Sequence, residues 1–239
     1  IYDISITQAK KVAAIYHTSV FDSLEEALEQ CNAITIATPA HSHFNIAKQA
    51  LENNCHIFIE KPITTNLKDA DNIIALAQQK NLLVQVGHIE RFNPAFIKLL
   101  NNNIHHSQFI ESERLTPFNV RGLDVNVVLD LMIHDIDLIL QIKQCAVKNI
   151  QAVGIRVLSE TIDLANARIV FEDNCVANLT ASRISDTAIR KLRLFNSQQY
   201  FSVDLQKHTI NAYSVINRRP SNNNVKIISS SKNKFIVHQ

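Results

Sequence analysis

Glycine is almost absent from this sequence, which has three in 239 residues: Gly87, Gly122 and Gly154. A phosphate-binding G-x-G-x-x-G loop needs glycines at fixed short intervals, because they let the backbone turn tightly and approach a pyrophosphate. These residues therefore contain no such loop. The chain starts at Ile1 and its single methionine is Met132, so we expect a fragment of a longer polypeptide that is truncated at its N-terminus.

Charge of one sign and long apolar runs are also missing. The formal net charge is +2, which gives no electrostatic reason to expect nucleic acid or an anionic membrane as a partner. No apolar run approaches the ~18–20 residues of a membrane helix, and no basic segment followed by an apolar stretch marks a signal peptide. We predict a cytoplasmic protein with neither kind of partner.

Metal-binding patterns are not found. The four cysteines form no C-x-x-C pair and lie far apart, at Cys31, Cys55, Cys145 and Cys175. Free, buried thiols in a reducing compartment are the simplest interpretation. His41 and His43 lie two apart and have no obvious third ligand, so we predict no metal site.

The first two-fifths of the chain alternates short apolar strands with helices. Strands are predicted at residues 33–37, 56–60 and 82–86, and residues 2–4 resemble the end of a further strand. Helices are predicted at residues 7–15, 23–30, 42–52 and 66–79, and Ser23-Leu-Glu-Glu26 is a capping box. This alternation predicts an incomplete doubly wound parallel sheet, Rossmann-like, over residues 1–94.

The pattern changes in the second half. One long helix is predicted over residues 125–143, with an apolar stripe of Val125, Val128, Leu129, Ile133, Ile136 and Leu140. Six strand-like runs then follow one another, at residues 150–158, 164–171, 176–182, 191–195, 200–205 and 208–214. Successive strands with short turns predict an antiparallel meander, hence a substrate-binding α+β domain with an open, mostly antiparallel sheet over residues 95–217. Residues 218–239 are polar, and we expect a loosely ordered tail.

Polar residues cluster where the predicted parallel strands end, and doubly wound sheets bind ligands beyond these carboxyl ends. Thr38-Pro39, Glu60-Lys61-Pro62 and Gly87-His88 follow three of the strands. Asp3 follows the first strand, where an acidic residue hydrogen-bonds an adenosine ribose if one βαβ step precedes it. A helix-capping aspartate is the equally acceptable alternative for Asp3.

Lys61 is the sharpest local feature. An ammonium at a strand end, partly shielded from water, lowers the energy of an alkoxide that develops on a substrate alcohol. Pro62 fixes the turn that carries it, through a cis bond in one version of this hypothesis. A solvated turn is the alternative, because a Glu-Lys-Pro tripeptide is common.

The long helix supplies a second candidate group. Asp130, His134, Asp137 and Gln141 fall on one helical face. A carboxylate one turn from a histidine fixes its tautomer, and such a histidine exchanges a proton with an alcohol. The alternative is an exposed helix face with an ordinary i,i+4 pair.

Together these motifs resemble the Gfo/Idh/MocA oxidoreductases over about residues 1–215. The resemblance rests on six segments in the family's order: Ile1-Tyr-Asp3, Phe21-Asp-Ser-Leu-Glu-Glu26, Ile36-Ala-Thr-Pro39 with His43, Phe58-Ile-Glu-Lys-Pro62, Val86-Gly-His-Ile-Glu-Arg-Phe-Asn-Pro94 and Asp130-Leu-Met-Ile-His-Asp-Ile-Asp137. The last two are most similar to the branch that acts on the 3-hydroxyl of UDP-N-acetylglucosamine-type sugars.

The resemblance implies a role for each candidate residue. Lys61 would contact the reacting hydroxyl and the nicotinamide of NAD, His134 would be the general acid/base, and Asp130 would orient the substrate. Asp3 would hold the adenosine ribose and favour NAD over NADP. The nicotinamide side would be lined by Thr38, Pro39, His43 and Glu60, and contacts to the cofactor or to the sugar's phosphates are expected from Arg91 and Asn93.

The function that follows is hydride transfer from a sugar hydroxyl to NAD, with a small-molecule sugar or nucleotide sugar as substrate. The resemblance also implies a homo-oligomer that assembles through the C-terminal sheet. The alternative is a non-catalytic binding or regulatory protein, or a degenerate member of the same fold, because the glycine loop belongs to chain before Ile1 and fold does not fix function.

Overall fold

The computed structural model describes residues 1–102, 104–119, 124–214 and 235–236. The chain divides into two compact units, Ile1–Gly87 and His88–Gln239. The sequence predicts a boundary after residue 94. In the structure the division falls after Gly87, and the short helical stretch that follows it groups with the second unit. Among the described helices, none combines the length and the apolar character that a bilayer crossing requires.

The first unit alternates helices with short strands, as the sequence predicts. Its helices are α1 (Ile6–Tyr16), α2 (Leu24–Gln30), α3 (Ala40–Glu52) and α4 (Leu67–Lys80), and its strands are β1 (Ala33–Ile36), β2 (His56–Glu60) and β3 (Val84–Gly87). The strands are parallel and lie in the order β1-β2-β3. Parallel neighbours joined by helices confirm the Rossmann-like fold class predicted for this unit.

Side-chain caps start three of these helices, and Ser5 is the cap of α1. Ser23 Oγ accepts a hydrogen bond from the Glu26 N–H (3.0 Å), and the Glu26 carboxylate accepts one from the Asp22 N–H (2.9 Å). The predicted capping box is therefore present, with its return bond displaced by one residue. Asn66 caps α4 by accepting from the Asp69 N–H at 3.0 Å.

Two strand predictions in this unit need correction. Residues 2–4 are not in a strand, because the main-chain bonds of this segment, Ile1 to Ser19 and Phe21 to Ile1, stop at the first residue. β1 was expected to be buried on both faces, and only Ile36 in it is buried. Within the described residues β1 pairs on one side alone, with β2, so its outer edge is exposed.

The second unit is built on one large sheet. Its strands are β4 (Phe109–Leu115), β5 (Val147–Ile155), β6 (Leu164–Phe171), β7 (Val176–Ser182), β8 (Ile189–Phe195), β9 (Gln199–Asp204), β10 (Thr209–Ser214) and β11 (Phe235–Ile236). Its α-helices are α5 (Pro94–Leu100) and α6 (Ile133–Lys143). Shorter helical turns occupy Ile89–Phe92, Ile104–His106 and Val128–Met132.

The sheet is mostly antiparallel and open, which confirms the fold class, but it is not one continuous meander. Its order is β11-β10-β9-β8-β4-β7-β6-β5. β4 inserts between the two three-stranded meanders and pairs parallel with β7 and antiparallel with β8. β4 is not predicted from the sequence, because its inward positions are Ile110, Ser112 and Arg114 and lack the apolar alternation of a half-buried strand.

The long helix also differs from its prediction. Val128–Met132 is π-helical and only Ile133–Lys143 is α-helical. A π turn holds about one residue more than an α turn, so it rotates the face that follows. Leu140, predicted to lie in the apolar stripe, is 44% exposed, and the fully buried side chains of α6 are instead Leu138, Ile139 and Ile142.

The inner face of this sheet forms the larger core with α5 and α6. The outer face carries an aromatic row across four strands, formed by Phe109, Phe195, Tyr200 and Tyr213, with ring centroids 5.8, 4.7 and 5.3 Å apart in that order. The predicted loose tail, residues 218–239, lies outside the described residues, apart from the two residues of β11, which pair with β10.

Candidate active site

The carboxyl ends of the three parallel strands bring one group of predicted site residues to a single sheet edge. Thr38 and Pro39 follow β1, Glu60 ends β2 with Lys61 next to it, and Gly87 ends β3. Glu60 and Gly87 are direct partners in the β2–β3 register. The Lys61–Pro62 peptide bond is cis, as the sequence hypothesis allowed.

Gly87 leaves room for the Glu60 carboxyl group. A Cβ atom at residue 87 would lie 2.9 Å from Glu60 Oε2 and 3.1 Å from its Cδ. Any larger residue would push the carboxylate aside, so glycine here permits the close approach of the Glu60 carboxyl group rather than an unusual backbone angle. The sequence singled out both residues separately but contained no signal that they touch.

His43, at the start of α3, is 1% exposed and ties two of these strand ends together. Its Nδ1 lies 2.8 Å from the Pro62 carbonyl oxygen and its Nε2 lies 2.8 Å from the Thr38 carbonyl oxygen. Carbonyl oxygens only accept, and a neutral imidazole donates from one nitrogen alone. The ring thus lies between the segments after β1 and β2, and in its neutral form it donates a hydrogen bond to one of the two carbonyl oxygens. Direct contact with a cofactor stays a prediction.

Asp3 lies on the surface before α1. Its Oδ1 accepts a hydrogen bond from the Ser5 N–H at 2.8 Å, and Ser5 is the residue that caps the helix. This bond from the Ser5 N–H to the Asp3 carboxylate is a local contact at the helix start, as the alternative of a helix-capping aspartate predicts. Binding of an adenosine ribose by the remaining oxygen stays a prediction.

In the second unit, Arg91 is held by Asp137. Arg91 Nε donates to Asp137 Oδ2 at 2.7 Å and Nη2 donates to Oδ1 of the same carboxylate. This hydrogen-bonded pair raises the pKa of Arg91. Burial lowers the pKa of the neighbouring His88, whose Nδ1 is 3.9 Å from Asp137 Oδ2, and the carboxylate acts in the opposite direction.

Asn93 has a structural task that sequence reasoning missed. Its Oδ1 accepts from the Ala95 N–H (3.0 Å) and caps α5, whose first residue is Pro94. Its Nδ2 donates to the Leu205 carbonyl oxygen at 2.8 Å and to Glu90 Oε2 at 3.2 Å. An Asn-Pro pair before an apolar run is an N-cap signal that was available in the sequence.

Asp130 lies within the π-helical turn and His134 is the second residue of α6. Asp130 Oδ2 is 4.0 Å from Nη2 of Arg183, a buried arginine that donates to the Val125 carbonyl oxygen at 2.9 Å. Because the π turn changes the spacing between the two residues, the i,i+4 pairing of Asp130 with His134 stays a prediction.

A buried charge network next to His134 was not anticipated. Arg114, on β4, donates to Asp135 through two nitrogens and to Glu90 through the third, each at 3.0 Å.

In the described ranges, no three His, Cys, Asp or Glu side chains are arranged to hold a metal ion.

The strand-end group fits the nicotinamide side of a dinucleotide. A hydroxyl (Thr38), a carboxylate (Glu60) and an ammonium (Lys61) lie at one edge of a parallel sheet, and the absence of a side chain at Gly87 lets the Glu60 carboxyl group lie against the neighbouring strand end. Oxygen and nitrogen groups of this kind match the hydroxyls of a ribose and the carboxamide of a nicotinamide. Fold and strand ends thus define a dinucleotide-binding oxidoreductase of the α/β class.

Comparisons with known proteins agree. A family profile described as "Oxidoreductase family, NAD-binding Rossmann fold" matches residues 1–88. UDP-N-acetylglucosamine 3-dehydrogenase from Acidithiobacillus ferrooxidans is 36% identical over 213 residues, which are 89% of this chain and 68% of that enzyme. A solved structure of the same enzyme matches with a TM-score of 0.84, covering 90% of this chain and 71% of that one.

A more distant relative is the scyllo-inositol 2-dehydrogenase (NAD(+)) of Bacillus subtilis, 24% identical over 169 residues, which are 64% of this chain and 49% of that enzyme. The chain belongs to the Gfo/Idh/MocA family of oxidoreductases. The predicted family, enzyme class and NAD cofactor are thereby confirmed.

Proposed function

We propose that this chain supplies the nicotinamide side and the catalytic residues of a dehydrogenase that oxidises the 3-hydroxyl of a UDP-N-acetylhexosamine or its uronate. The observation that carries the proposal is the group of Thr38, Glu60 and Lys61 at one carboxyl edge of three parallel strands. The similarity to an enzyme named for this substrate, over 89% of the chain, supports the choice of sugar.

The chemistry divides a hydride and a proton between two acceptors. When bound, NAD supplies the acceptor for the hydride that leaves the sugar carbon. Lys61 holds the hydroxyl oxygen and stabilises the negative charge that grows on it. His134 takes the hydroxyl proton as the general base and returns it in the reverse direction. Asp130 orients the substrate.

The remaining predicted residues bind rather than react. Thr38, Pro39 and Glu60 line the nicotinamide side, and His43 contributes there chiefly by holding Thr38 and Pro62 in place. Asp3 binds the adenosine ribose. Arg91 and Asn93 are proposed contacts to the cofactor or to the sugar's phosphates, and Arg91, whose side chain is 48% exposed, is the more accessible of the two. The cytoplasmic location likewise remains a proposal.

The catalytic assignment is tested by Lys61→Met and His134→Asn in the complete gene product. NADH formation with UDP-N-acetylglucosamine, or with its uronate, should fall by about 10²–10⁴-fold for each variant, because each removes a group that acts on the reacting hydroxyl. Lys68→Met and His106→Asn are matched controls, since both side chains are exposed, and each should retain the parent rate.

Full activity in either catalytic variant contradicts the roles assigned to Lys61 and His134. A parent protein that binds NAD but oxidises neither sugar favours the non-catalytic alternative. Calorimetry with NAD alone separates that result from loss of the cofactor site.

We further propose that the protein is a homo-oligomer that assembles through the outer face of its second-unit sheet. The support is the half-buried aromatic row of Phe109, Phe195, Tyr200 and Tyr213, because aromatic side chains are enriched at the centres of interfaces. Sedimentation velocity should give a dimer or larger for the parent and a smaller species for Tyr200→Glu. Tyr16→Glu, at a position 72% exposed in the first unit, is the control, and a monomeric parent refutes the proposal.

A further inference from the structure

Arg114 is a fully charged side chain in the core of the second unit. It is 2% exposed, and it lies on the inner face of β4 after Ile110 and Ser112. Transfer of a guanidinium from water to such a place is costly unless every charge around it is paired and hydrogen-bonded. The partners of Arg114 therefore indicate why the chain keeps a buried guanidinium in spite of the free-energy cost of burying it.

Its three nitrogens bind two acidic side chains from different segments. Nε and Nη2 form a two-pronged pair with Asp135, and Nη1 donates to Glu90 Oε1, with all three distances at 3.0 Å. The Asp135 and Glu90 side chains are themselves 4% and 10% exposed. Burial alone would lower the pKa of Arg114, and these two carboxylates outweigh it, so the pKa is raised and the side chain stays charged.

The two acids belong to the parts of the second unit that carry site candidates. Asp135 follows His134 directly in α6, and Glu90 precedes Arg91. A second pair, Arg91 with Asp137, joins the same two segments. One direct guanidinium–carboxylate pair, Arg91–Asp137, and a bridge from Asp135 through Arg114 to Glu90 thus link one turn of α6 to the Ile89–Phe92 turn, and Arg114 connects both segments to the sheet.

The turn before His134 departs from regular helix geometry. Val128–Met132 is π-helical, so it follows an i→i+5 pattern in place of the i→i+4 bonds of an α-helix. Replacement of a buried ion pair by packed apolar residues is often neutral or stabilising, so stability alone gives little reason for this network. A planar guanidinium, however, fixes both distance and angle to its carboxylate.

We propose that Arg114 is a positioning residue of the dehydrogenase: through Asp135 and Glu90 it sets the rotation and depth of the helical turn that presents His134. This inference rests on the proposed role of His134. Because Arg114 is 2% exposed, it is closed off from substrate and cofactor, and in this proposal it acts by fixing the orientation of the imidazole.

The test is Arg114→Lys, which keeps the positive charge and loses the planar fork. The expected result is a fall in kcat of about 10–100-fold, with KM for UDP-N-acetylglucosamine changed less than about 3-fold, because misplacement of a catalytic group by an ångström has this effect. In NMR spectra of the protein without substrate, the ring resonances of His134, assigned by their loss in His134→Asn, should move.

Asp173→Asn is the matched control. Asp173 binds the fully buried Nζ of Lys143 at 2.6 Å and so anchors the other end of α6. Both variants should lower the melting temperature, but the control should keep the parent kcat and leave the His134 resonances in place. Asp135→Asn, which keeps the shape of the side chain, replaces Arg114→Lys if the latter does not fold.

Unmoved His134 resonances in folded Arg114→Lys, or an equal change in Asp173→Asn, overturn the proposal. A parent that oxidises no nucleotide sugar, together with shifted His134 resonances in Arg114→Lys, overturns the proposed function and its catalytic reading of Arg114, but still shows that Arg114 sets the orientation of the His134 ring.

Discussion

The two units place their candidate residues by different means. In the parallel sheet, each candidate follows directly in sequence the strand that positions it, as Lys61 follows β2. In the second unit, the contacts that fix the candidates join distant positions: Arg91 and Asp137 are 46 residues apart, and Arg114 and Asp135 are 21 apart. Sequence patterns predict the position of a candidate well when it directly follows its strand, because the strand and the candidate then belong to one local segment.

This difference explains which predictions succeeded. Strands at residues 56–60, 164–171 and 176–182 have the predicted bounds, because period-two apolar patterns survive wherever one face meets a core. The cluster at the carboxyl ends of the parallel strands followed from the same local patterns. The cis bond before Pro62 agreed with an expectation from residue type alone.

The failures share a long-range cause. β4 carries Arg114 at an inward position, so its pattern looks like surface until Asp135 and Glu90 are known to face it. The π-helical turn has no marker in the residues and is evident only from the backbone of the folded chain. The two carbonyl contacts of His43 also join separate loops and have no local signal in the sequence, while its predicted place in the crevice with Thr38 stays a prediction.

The largest expected effect tests the rotated face of α6. Leu138 is fully buried and Leu140 is 44% exposed, whereas the sequence pattern assigned Leu140 to the core. Leu138→Ala should lower the free energy of unfolding by about 2–5 kcal/mol, because it leaves a cavity. Leu140→Ala should cost less than about 1 kcal/mol. Thermal and urea unfolding of the two variants measure the difference.

The pair of leucines serves as its own control, since the residues share one helix and one substitution. If both variants lose the same free energy of unfolding, or Leu140→Ala loses more, the result contradicts the rotated face of α6 and favours the regular α-helix that the sequence predicts. A large difference in the expected direction sharpens the contrast between the units, because no local pattern marked Leu138.

A smaller effect is expected at the parallel sheet, where Gly87 faces the Glu60 carboxyl group. In Gly87→Ala the new Cβ would lie 2.9 Å from Glu60 Oε2, and the end of a flexible side chain has to move. The free energy of unfolding should fall by only about 1 kcal/mol, since a displaced carboxylate at a strand end finds water. Thermal unfolding of the variant measures this loss.

A double-mutant cycle with Glu60→Ala separates contact from backbone effects. If the carboxyl group alone causes the loss, Gly87→Ala should cost nothing in the Glu60→Ala background, and the coupling should equal the whole effect. A full loss in both backgrounds places the cause in the backbone of β3 instead. The NADH-forming activity of Gly87→Ala is the sharper readout, and it should fall if Glu60 lines the nicotinamide side as proposed, because the displaced carboxylate would change that side while the fold remains intact.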